Sequence, residues 1–311
     1  MQATRGIDVG RITSLGECAF YAHTAPEHVV ARIGDADIVL NTPSPITRRV
    51  FEKCRNLKYI GVTSTGYNMI DIEAANEYGV VVSNVPNYAA YTVSQFAIGL
   101  LMEICLNIGR QTDAVRAGDW LGIKNSGSSW EPTRMEFRDK TMGIIGCGAI
   151  GRQTAVIAMA LGMRILACDQ IKRAEWENSE FHYTSLETLL SESDIVSLHC
   201  PVTDKTRHII NMTSISKMKK SAILINTSRG HLINERDLAS ALNNGGLAAA
   251  GLDVLTDEPP MDDNPLLSAK NCYITPHVAW ATPEAQVKLF DSIVENLLAF
   301  LAGKPRNVIK N

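Results

Sequence analysis

Several features that define common protein classes are missing from this chain of 311 residues. No apolar run reaches the roughly 18 residues that a membrane-spanning helix needs. The first ten residues, MQATRGIDVG, lack the apolar core of a signal peptide. The net charge of -3 is too small to indicate nucleic acid or an anionic membrane as a partner. These absences favour a cytoplasmic protein.

The cysteines form no C-x-x-C pair, their number is odd, and their spacing along the chain is irregular. This pattern argues against both a disulfide framework and structural zinc. No histidine has a metal-ligand spacing with carboxylates or thiols either, so we predict no metal site. We expect buried, reduced thiols at the seven cysteines, Cys18, Cys54, Cys105, Cys147, Cys168, Cys200 and Cys272.

Short apolar runs rich in β-branched residues alternate with helical patterns along most of the chain. This alternation is typical of a parallel sheet with crossover helices, and the length suits two domains. Helix starts are predicted at the N-caps Ser185, Asn234 and Thr282. Strands are predicted at 37–40, 58–62, 80–82, 141–145, 164–168, 195–199, 222–226, 248–252 and 273–274.

Apolar residues cover all sides of one long predicted helix from Thr92 to Ala117, a pattern typical of a buried helix. The next stretch, Asp119 to Arg138, has no periodicity and is interpreted as a long loop or arm that contains Trp120 and Trp130. The two segments carry more apolar and aromatic surface than a monomer needs. We therefore predict a two-fold dimer built on this region.

A glycine-rich turn follows the predicted strand 141–145 and has the pattern G-x-G-x-x-G at Gly146, Gly148 and Gly151. The first glycine makes the tight turn, the second lets the backbone approach a pyrophosphate, and the third lets the helix pack on the strand. The helix N-terminus beyond Gly148 carries partial positive charge that favours phosphates. The alternative is a purely structural βαβ turn.

Asp169 ends the next predicted strand, 23 positions after Gly146. An acidic residue near that spacing accepts hydrogen bonds from the adenosine ribose, so the pattern indicates dinucleotide binding. Its carboxylate would repel a 2′-phosphate, which predicts NAD rather than NADP. Lys172 and Arg173 either soften that repulsion or belong to a solvated basic patch.

Three further segments follow predicted strands or strand-like runs, where ligands bind in open α/β sheets. They contain Arg229, Glu258 and His277. Hydride transfer to a keto carbon leaves negative charge on oxygen, and histidine is suited to donate the proton near neutral pH. A carboxylate would stabilise the imidazolium, and a guanidinium would bind a carboxylate or keto oxygen. Taken singly, each residue has an ordinary structural or surface alternative.

The sequence resembles the D-isomer-specific 2-hydroxyacid dehydrogenases from about residue 14 to residue 307. The resemblance implies a Rossmann-type doubly wound parallel sheet domain at 92–279 that binds NAD. It also implies a smaller flavodoxin-like α/β substrate domain made of both chain ends, 1–91 and 280–311. The matching strings are the glycine motif, STGYNMID at 64–71, HCPVT at 199–203, NTSRG at 226–230, GLDV at 251–254, DEP at 257–259 and TPH at 275–277.

The same resemblance implies Arg229, Glu258 and His277 as the catalytic set, with backbone amides of Thr65 and Gly66 holding the substrate carboxylate. Asp253 would meet the nicotinamide carboxamide, and Cys200 and Pro201 would line the adenine side. The predicted cofactor contacts are Gly146, Gly148, Ala149, Ile150, Gly151, Asp169, Cys200, Pro201, Thr206, Thr227, Arg229, Asp253 and His277.

Within this family, the segments around Thr65 and His277 look most like those of glycerate dehydrogenases, also called hydroxypyruvate reductases. We therefore expect hydride transfer between NAD(H) and C2 of a small acid, such as hydroxypyruvate or glyoxylate. Trp280, three residues after His277, is interpreted as a cap on the substrate or as packing for the substrate domain. The alternative function is that of an NAD-binding corepressor or sensor with the same fold.

The first ten residues depart from the family pattern. Relatives open with a β-branched strand at the centre of the substrate-domain sheet, but Met1–Gly10 offers only Ile7 and Val9. We expect that strand to be missing and the strand at 36–40 to have an unpaired edge. Either the true start lies upstream, or the sheet is thinner.

Overall fold

The computed structural model describes residues 7–41, 44–118 and 135–310. Most of the predicted arm, with Trp120 and Trp130, lies outside the described residues, as do residues 1–6. The chain divides into two compact units, one formed by 1–89 with 281–311 and the other by 90–280. These boundaries lie one or two residues from those that the sequence predicts.

The described residues form strands and helices in the alternating order that the sequence predicts, with one additional strand, β6, that it does not predict. The strands are β1 (Ile38–Asn41), β2 (Tyr59–Val62), β3 (Val81–Ser83), β4 (Thr141–Ile145), β5 (Arg164–Cys168), β6 (Phe181–Tyr183), β7 (Ile195–Leu198), β8 (Ile223–Asn226), β9 (Ala249–Leu252) and β10 (Cys272–Ile274). The α-helices are α1 (Gly10–Thr13), α2 (Val29–Ile33), α3 (Arg48–Lys53), α4 (Ile72–Glu77), α5 (Ala90–Leu106), α6 (Ile108–Arg116), α7 (Ala149–Ala160), α8 (Leu186–Glu192), α9 (Met212–Ile215), α10 (Glu235–Asn243) and α11 (Pro283–Leu301). Short 3₁₀ helices lie at Pro26–His28, Ala174–Trp176, Gly230–Leu232 and Pro265–Ser268.

The first unit contains a three-stranded parallel sheet in the order β1-β2-β3. Helix α11, from the other end of the chain, packs on β2, where the rings of Tyr59 and Phe300 stack with centroids 4.5 Å apart. Within the described part of the chain, β1 pairs with β2 alone and so has an unpaired edge, as predicted. Residues 7–9 form no strand and lead directly into α1.

The second unit contains a seven-stranded parallel sheet in the order β10-β9-β8-β7-β4-β5-β6. The strand order runs in opposite directions on the two sides of β4, which makes the β4–β7 boundary the topological switch point. Neighbouring residues of β4 face opposite sides: Ile144 packs with residues of α5 and α7, and Ile145 packs with residues of α8 and α10. Helices therefore cover both faces of the sheet, as in a doubly wound fold.

The predicted N-caps lie where the sequence indicates. The side chains of Ser185, Asn234 and Thr282 accept hydrogen bonds from backbone amides in the first turns of α8, α10 and α11. Each bond satisfies an amide that has no partner within its own helix. Short side-chain oxygens at these positions therefore determine where the helices begin.

The prediction of one continuous helix from Thr92 to Ala117 is wrong. The segment forms two helices, α5 and α6, bent by 51° at Asn107. Asn107 has a left-handed backbone (φ 52°) and accepts a hydrogen bond from the Tyr273 hydroxyl at 2.8 Å. The Glu103 carboxylate accepts from the amide of Gly109 at 3.2 Å and so caps α6. This tertiary contact and this cap favour the break, which apolar periodicity does not reveal.

The two helices differ in environment. Helix α5 has nine buried residues, whereas α6 has none, so the expectation of a buried helix holds for α5 only. No single helix among the described residues is long and apolar enough to cross a membrane, and the bent pair α5–α6 meets the criterion only by length and composition.

Candidate active site

Most of the predicted site residues lie at one edge of the seven-stranded sheet. Each directly follows, or closely follows, the carboxyl end of a strand: Gly146 after β4, Asp169 after β5, Cys200 after β7, Thr227 after β8, and Asp253 after β9. His277 follows β10 by three residues. Because all seven strands are parallel, their carboxyl ends meet at the same edge. Residues far apart in the sequence are brought together in this way.

The glycine turn has the geometry that its pattern predicts. Gly146 has φ +90°, and a Cβ there would lie 2.5 Å from the amide nitrogen of Cys200. A Cβ on Gly151 would overlap the carbonyl oxygen of Gly146. Gly148 is the N-cap of α7, and a Cβ there would meet nothing within 4 Å. Gly146 and Gly151 thus need to be glycine for packing, whereas Gly148 leaves open space before the first turn of α7, which contains Ala149 and Ile150.

The Asp169 carboxylate lies against the glycine turn. Its Oδ2 accepts from the amide of Cys147 at 2.5 Å, and its Oδ1 accepts from the amide of Ile171 at 2.9 Å. Lys172 and Arg173 are exposed, and the guanidinium of Arg173 lies 5.2 Å from the centroid of the Trp176 ring. Arg173 is therefore directed towards Trp176, which favours the interpretation of a solvated basic patch for this residue.

The segment after β7 presents backbone carbonyls that side chains hold in place. Thr206 Oγ1 donates to the carbonyl of Pro201 at 2.6 Å, and Ser228 Oγ donates to the carbonyl of Cys200 at 2.8 Å. Burial raises the pKa of the Cys200 thiol to about 11. A thiol with that pKa is protonated at neutral pH and is a poor nucleophile. Cys200 is therefore not expected to act as a reactive group.

The segment that carries Arg229 is organised by Asn226, whose own role the sequence analysis missed. The buried amide of Asn226 donates to the carbonyl of Arg229 at 2.9 Å and accepts from the amide of Ser228 at 3.0 Å. A Cβ on Gly230 would overlap the carbonyl carbon of Leu255. This close approach packs the Arg229 segment against the segment that leads to Glu258.

Two side chains near the end of β8 have groups that a ligand can engage. The hydroxyl of Thr227 is buried and has no hydrogen-bond partner among the described residues. A buried polar atom without a partner is costly, and a ligand that bonds to it removes that cost. Arg229 is half-buried, and one of its Nη atoms donates to the carbonyl of Ser228 at 2.7 Å. This bond restricts the guanidinium and leaves its other donors available to a bound anion.

His277 and Glu258 form an ion pair. Nδ1 of His277 donates to Oε2 of Glu258 at 2.6 Å, and Oε1 of Glu258 accepts from the amide of Leu255 at 3.1 Å. The bond to Glu258 raises the pKa of His277, against the effects of burial and of Arg229. Burial acts to raise the pKa of Glu258, but the hydrogen bond and charge of His277, the Leu255 amide and the charge of Arg229 together outweigh burial and lower that pKa. The pair thus favours a protonated histidine beside an ionised carboxylate.

Asp253 holds the loop that contains His277. Its buried carboxylate accepts from the Thr275 hydroxyl at 2.6 Å and from the amides of Val278 and Ala279 at 3.0 and 2.9 Å. Its backbone carbonyl accepts from the amide of His277 at 2.9 Å. Both carboxylate oxygens therefore bind this loop. From the sequence, Asp253 is predicted to contact the cofactor only, and no sequence pattern indicates this second role.

Thr65 and Gly66 lie in the first unit, after β2. Thr65 Oγ1 donates to the carbonyl of Val85 at 2.8 Å, and the carbonyl of Thr65 accepts from the side chain of Asn84 at 2.7 Å. The hydroxyl of Ser64 donates to the carbonyl of Gly66 at 2.7 Å. These bonds fix the backbone of the turn.

His199 has no sign of a chemical role. Its Nε2 bonds with the Ser197 hydroxyl at 2.8 Å, and burial lowers its pKa to about 4. It is therefore neutral at physiological pH. No group of three or more histidine, cysteine, aspartate or glutamate side chains within the described ranges could hold a metal ion.

Comparison with known proteins identifies the class of this arrangement. A family model for the NAD-binding domain of D-isomer-specific 2-hydroxyacid dehydrogenases matches residues 98–279, more than half of the chain. The chain therefore belongs to this family. It is an NAD-dependent oxidoreductase that acts between hydroxy acids and keto acids.

Individual relatives resemble the chain over nearly its whole length. It is 47% identical over 306 residues to a hydroxypyruvate reductase of Blautia hydrogenotrophica, an alignment that covers 97% of this chain and 95% of the relative. A solved acyclic imino acid reductase in complex with NADPH and D-Arg is similar, with a TM-score of 0.87, 33% identity and coverage of 97% and 95%. A D-lactate dehydrogenase from Aquifex aeolicus complexed with NAD and lactic acid has a TM-score of 0.86, 27% identity and coverage of 95% and 92%.

Proposed function

We propose that the protein reduces hydroxypyruvate with NADH, with glyoxylate as a second small substrate. The observation that carries this proposal is the 2.6 Å bond between His277 and Glu258 at the sheet edge that also bears Arg229 and the glycine turn. The similarity to a hydroxypyruvate reductase supports the choice of acid.

The chain's own residues fit NAD at this edge. Gly148 leaves open space at the N-terminus of α7, where the backbone can approach a pyrophosphate. The Asp169 carboxylate beside the glycine turn suits a ribose diol, and the unpartnered Thr227 hydroxyl suits a polar group near the nicotinamide end. Ala149, Ile150 and Gly151 would contribute to the phosphate end, and Cys200, Pro201 and Thr206 to the adenine side. When bound, NADH supplies the hydride that adds to C2 of the keto acid.

His277 is proposed as the acid in reduction. Since Nδ1 is bonded to Glu258, Nε2 is the nitrogen that can give a proton to the substrate oxygen. Glu258 stabilises the imidazolium that must be present before each transfer. In the reverse direction, neutral His277 accepts the proton, and Glu258 lowers the free energy of the cation that forms.

Arg229 is proposed to bind the substrate carboxylate and to polarise the keto oxygen. Its planar guanidinium presents paired donors that match both groups. The amides of Thr65 and Gly66 are proposed to hold the carboxylate as well, which makes the unit of 1–89 and 281–311 the substrate domain. Trp280 is proposed to limit the length of the acid, and Asp253 to meet the nicotinamide carboxamide.

The test is a panel of keto acids followed by NADH absorbance, with hydroxypyruvate, glyoxylate, pyruvate, phenylpyruvate and 2-ketoisocaproate. Hydroxypyruvate should give the highest kcat/KM. A panel in which phenylpyruvate or 2-ketoisocaproate is the best substrate contradicts the proposed acid. No turnover of any acid, with NADH still bound, would favour the binding-protein alternative.

A homodimer built on α6 is proposed as the assembly. The helix has exposed apolar side chains at Ile108 and Val115, which are 60% and 47% exposed. These residues line a shallow cavity of about 450 Å³ together with Leu106, Gln111, Thr112 and Arg116. Such a surface is costly in water and suits a second copy of the chain. Light scattering at micromolar concentration should give twice the monomer mass, and a monomer mass would contradict the dimer.

A cytoplasmic location is proposed from the cysteines. All seven are free thiols in the structure, but the expectation that all are buried is wrong: Cys18 is exposed, and Cys168 and Cys272 are half-buried. Free thiols persist in the reducing environment of the cytoplasm.

A further inference from the structure

His277 has a backbone conformation that is uncommon for a residue with a Cβ. Its φ is +53°, in the left-handed region that residues with a Cβ rarely adopt. The surrounding structure must therefore hold it there. The direction of the imidazole depends on this backbone, because the side chain extends from a peptide that its neighbours fix.

Hydrogen bonds hold the His277 peptide from both ends. Its N–H donates to the carbonyl of Asp253 at 2.9 Å and to the carbonyl of Thr275 at 3.0 Å. Its carbonyl accepts from the indole Nε1 of Trp280 at 3.1 Å. The indole N–H is therefore a side-chain donor on the carbonyl side of His277, while Asp253 and Thr275 act on the amide side.

We propose that Trp280 is a positioning residue that holds His277 against Glu258 through its indole N–H. This role differs from limiting the length of the substrate, because it depends on one nitrogen atom rather than on the volume of the ring. The inference rests on the proposed function, in which His277 is the proton donor. The Trp280 side chain is half-buried and so is not part of the hydrophobic core.

Loss of the hydrogen bond from the Trp280 indole N–H should change the pKa of His277 as well as kcat. The charged groups that act on its imidazole are Glu258 and Asp253, which raise its pKa, and Arg229, which lowers it. If the peptide is no longer held, the 2.6 Å contact with Glu258 is made for a smaller fraction of the time. The pKa of His277 then falls towards its ordinary value, and less protonated histidine is present at neutral pH.

Two substitutions distinguish the effect of the indole N–H from the effect of the ring volume. Trp280→Phe removes the N–H and part of the ring volume. Replacement of Trp280 by 3-benzothienyl-alanine, in which sulfur takes the place of the indole nitrogen, removes the donor but keeps the bicyclic shape. A neutral hydrogen bond of this kind changes the population of the conformation that it stabilises, here His277 in contact with Glu258, by roughly two- to tenfold. Both variants should lose about two- to tenfold in kcat for hydroxypyruvate at pH 7.

The pattern across readouts distinguishes the two roles. A positioning role predicts that the benzothienyl variant loses kcat by the same factor for every keto acid, keeps its KM for NADH, and has the upper limb of its reduction pH profile at lower pH. A role in ring volume alone predicts wild-type kcat and pH profile for the benzothienyl variant, with altered substrate preference in Trp280→Phe only. The second pattern overturns the inference.

The failure of the inference differs from the failure of the proposed function. If wild-type protein turns over hydroxypyruvate and the benzothienyl variant is indistinguishable from it, Trp280 is not a positioning residue and the proposed function stands. If wild-type protein reduces no acid in the panel, the proposed function fails before Trp280 is tested. Thermal unfolding of both variants should match wild type, which excludes a general loss of folding.

Discussion

Glu258→Gln is the most informative single change, because it removes a charge from the His277 pair and keeps the shape of the side chain. The bond between His277 and Glu258 raises the pKa of His277. The reduction needs protonated His277, so activity is present below the pKa and is lost as pH rises through it. Without the carboxylate, the pKa falls and the upper limb of the pH profile moves to lower pH.

The size of the shift follows from exposure. The side chains of His277 and Glu258 are 42% and 37% exposed, so solvent screens the charge and the pair resembles a surface ion pair more than a buried one. A pair of this kind contributes about 1 kcal/mol, which corresponds to a shift of about 0.7 pH unit. The variant should approach wild-type activity at low pH and lose about fivefold at the upper limb.

The assay is kcat for hydroxypyruvate reduction across pH 5 to 9, roughly the range in which a perturbed histidine titrates. Asp257→Asn is the matched control, since it removes the same charge from the adjacent exposed residue. Its upper limb should move by less than that of Glu258→Gln. If the upper limb of Glu258→Gln stays where wild type has it, the pairing does not set the protonation of His277 and the proposed mechanism is wrong on this point.

Three other predictions address the donor, the cofactor and the glycine turn. His277→Gln should keep NADH binding, measured by fluorescence, but lose roughly 10²–10⁴ in kcat, and a variant that keeps most of its kcat would remove His277 from the mechanism. The kcat/KM for NADH should exceed that for NADPH about tenfold or more, because the Asp169 carboxylate disfavours a 2′-phosphate; a preference for NADPH would refute this assignment. Gly151→Ala should lower the unfolding free energy by about 1–3 kcal/mol, because its Cβ would overlap the carbonyl of Gly146. Gly148→Ala, with nothing within 4 Å of the added carbon, should unfold like wild type and bind NADH more weakly, and equal stability of the two variants would contradict the packing argument.

The helix break at Asn107 illustrates a limit of sequence patterns. Apolar residues continue on both sides of the break, so periodicity predicts one helix. The side chain of Asn107 accepts a hydrogen bond from the Tyr273 hydroxyl, which lies 166 positions further along the chain. Periodicity within the helix gives no indication of a contact with so distant a residue. Strand β6 was missed for a different reason: its exposed His182 lies between Phe181 and Tyr183, so the segment has no continuous apolar run of the kind that marks the other short strands.

The roles of Asp253 and Trp280 in the His277 loop also cannot be predicted from the sequence alone. The GLDV string attracts attention to Asp253, but only the fold shows that its carboxylate holds the loop of His277. Trp280 lies three residues after His277, which alone indicates proximity to the site. Its indole bond to the His277 carbonyl depends on the left-handed turn of that loop.

The sequence by itself determined the class of fold and the glycine turn that binds a dinucleotide, because hydrophobic periodicity, N-caps and glycine turns are local signals set by residues within a few positions of one another. The family and the residues proposed for catalysis followed from the resemblance of several sequence strings to known proteins. The tertiary structure alone decided that His277 and Glu258, 19 residues apart, meet at 2.6 Å, and that Asp253 and Trp280 form hydrogen bonds with the His277 backbone. Those contacts arise where parallel strands end side by side, and their geometry depends on packing across the sheet rather than on neighbours along the chain.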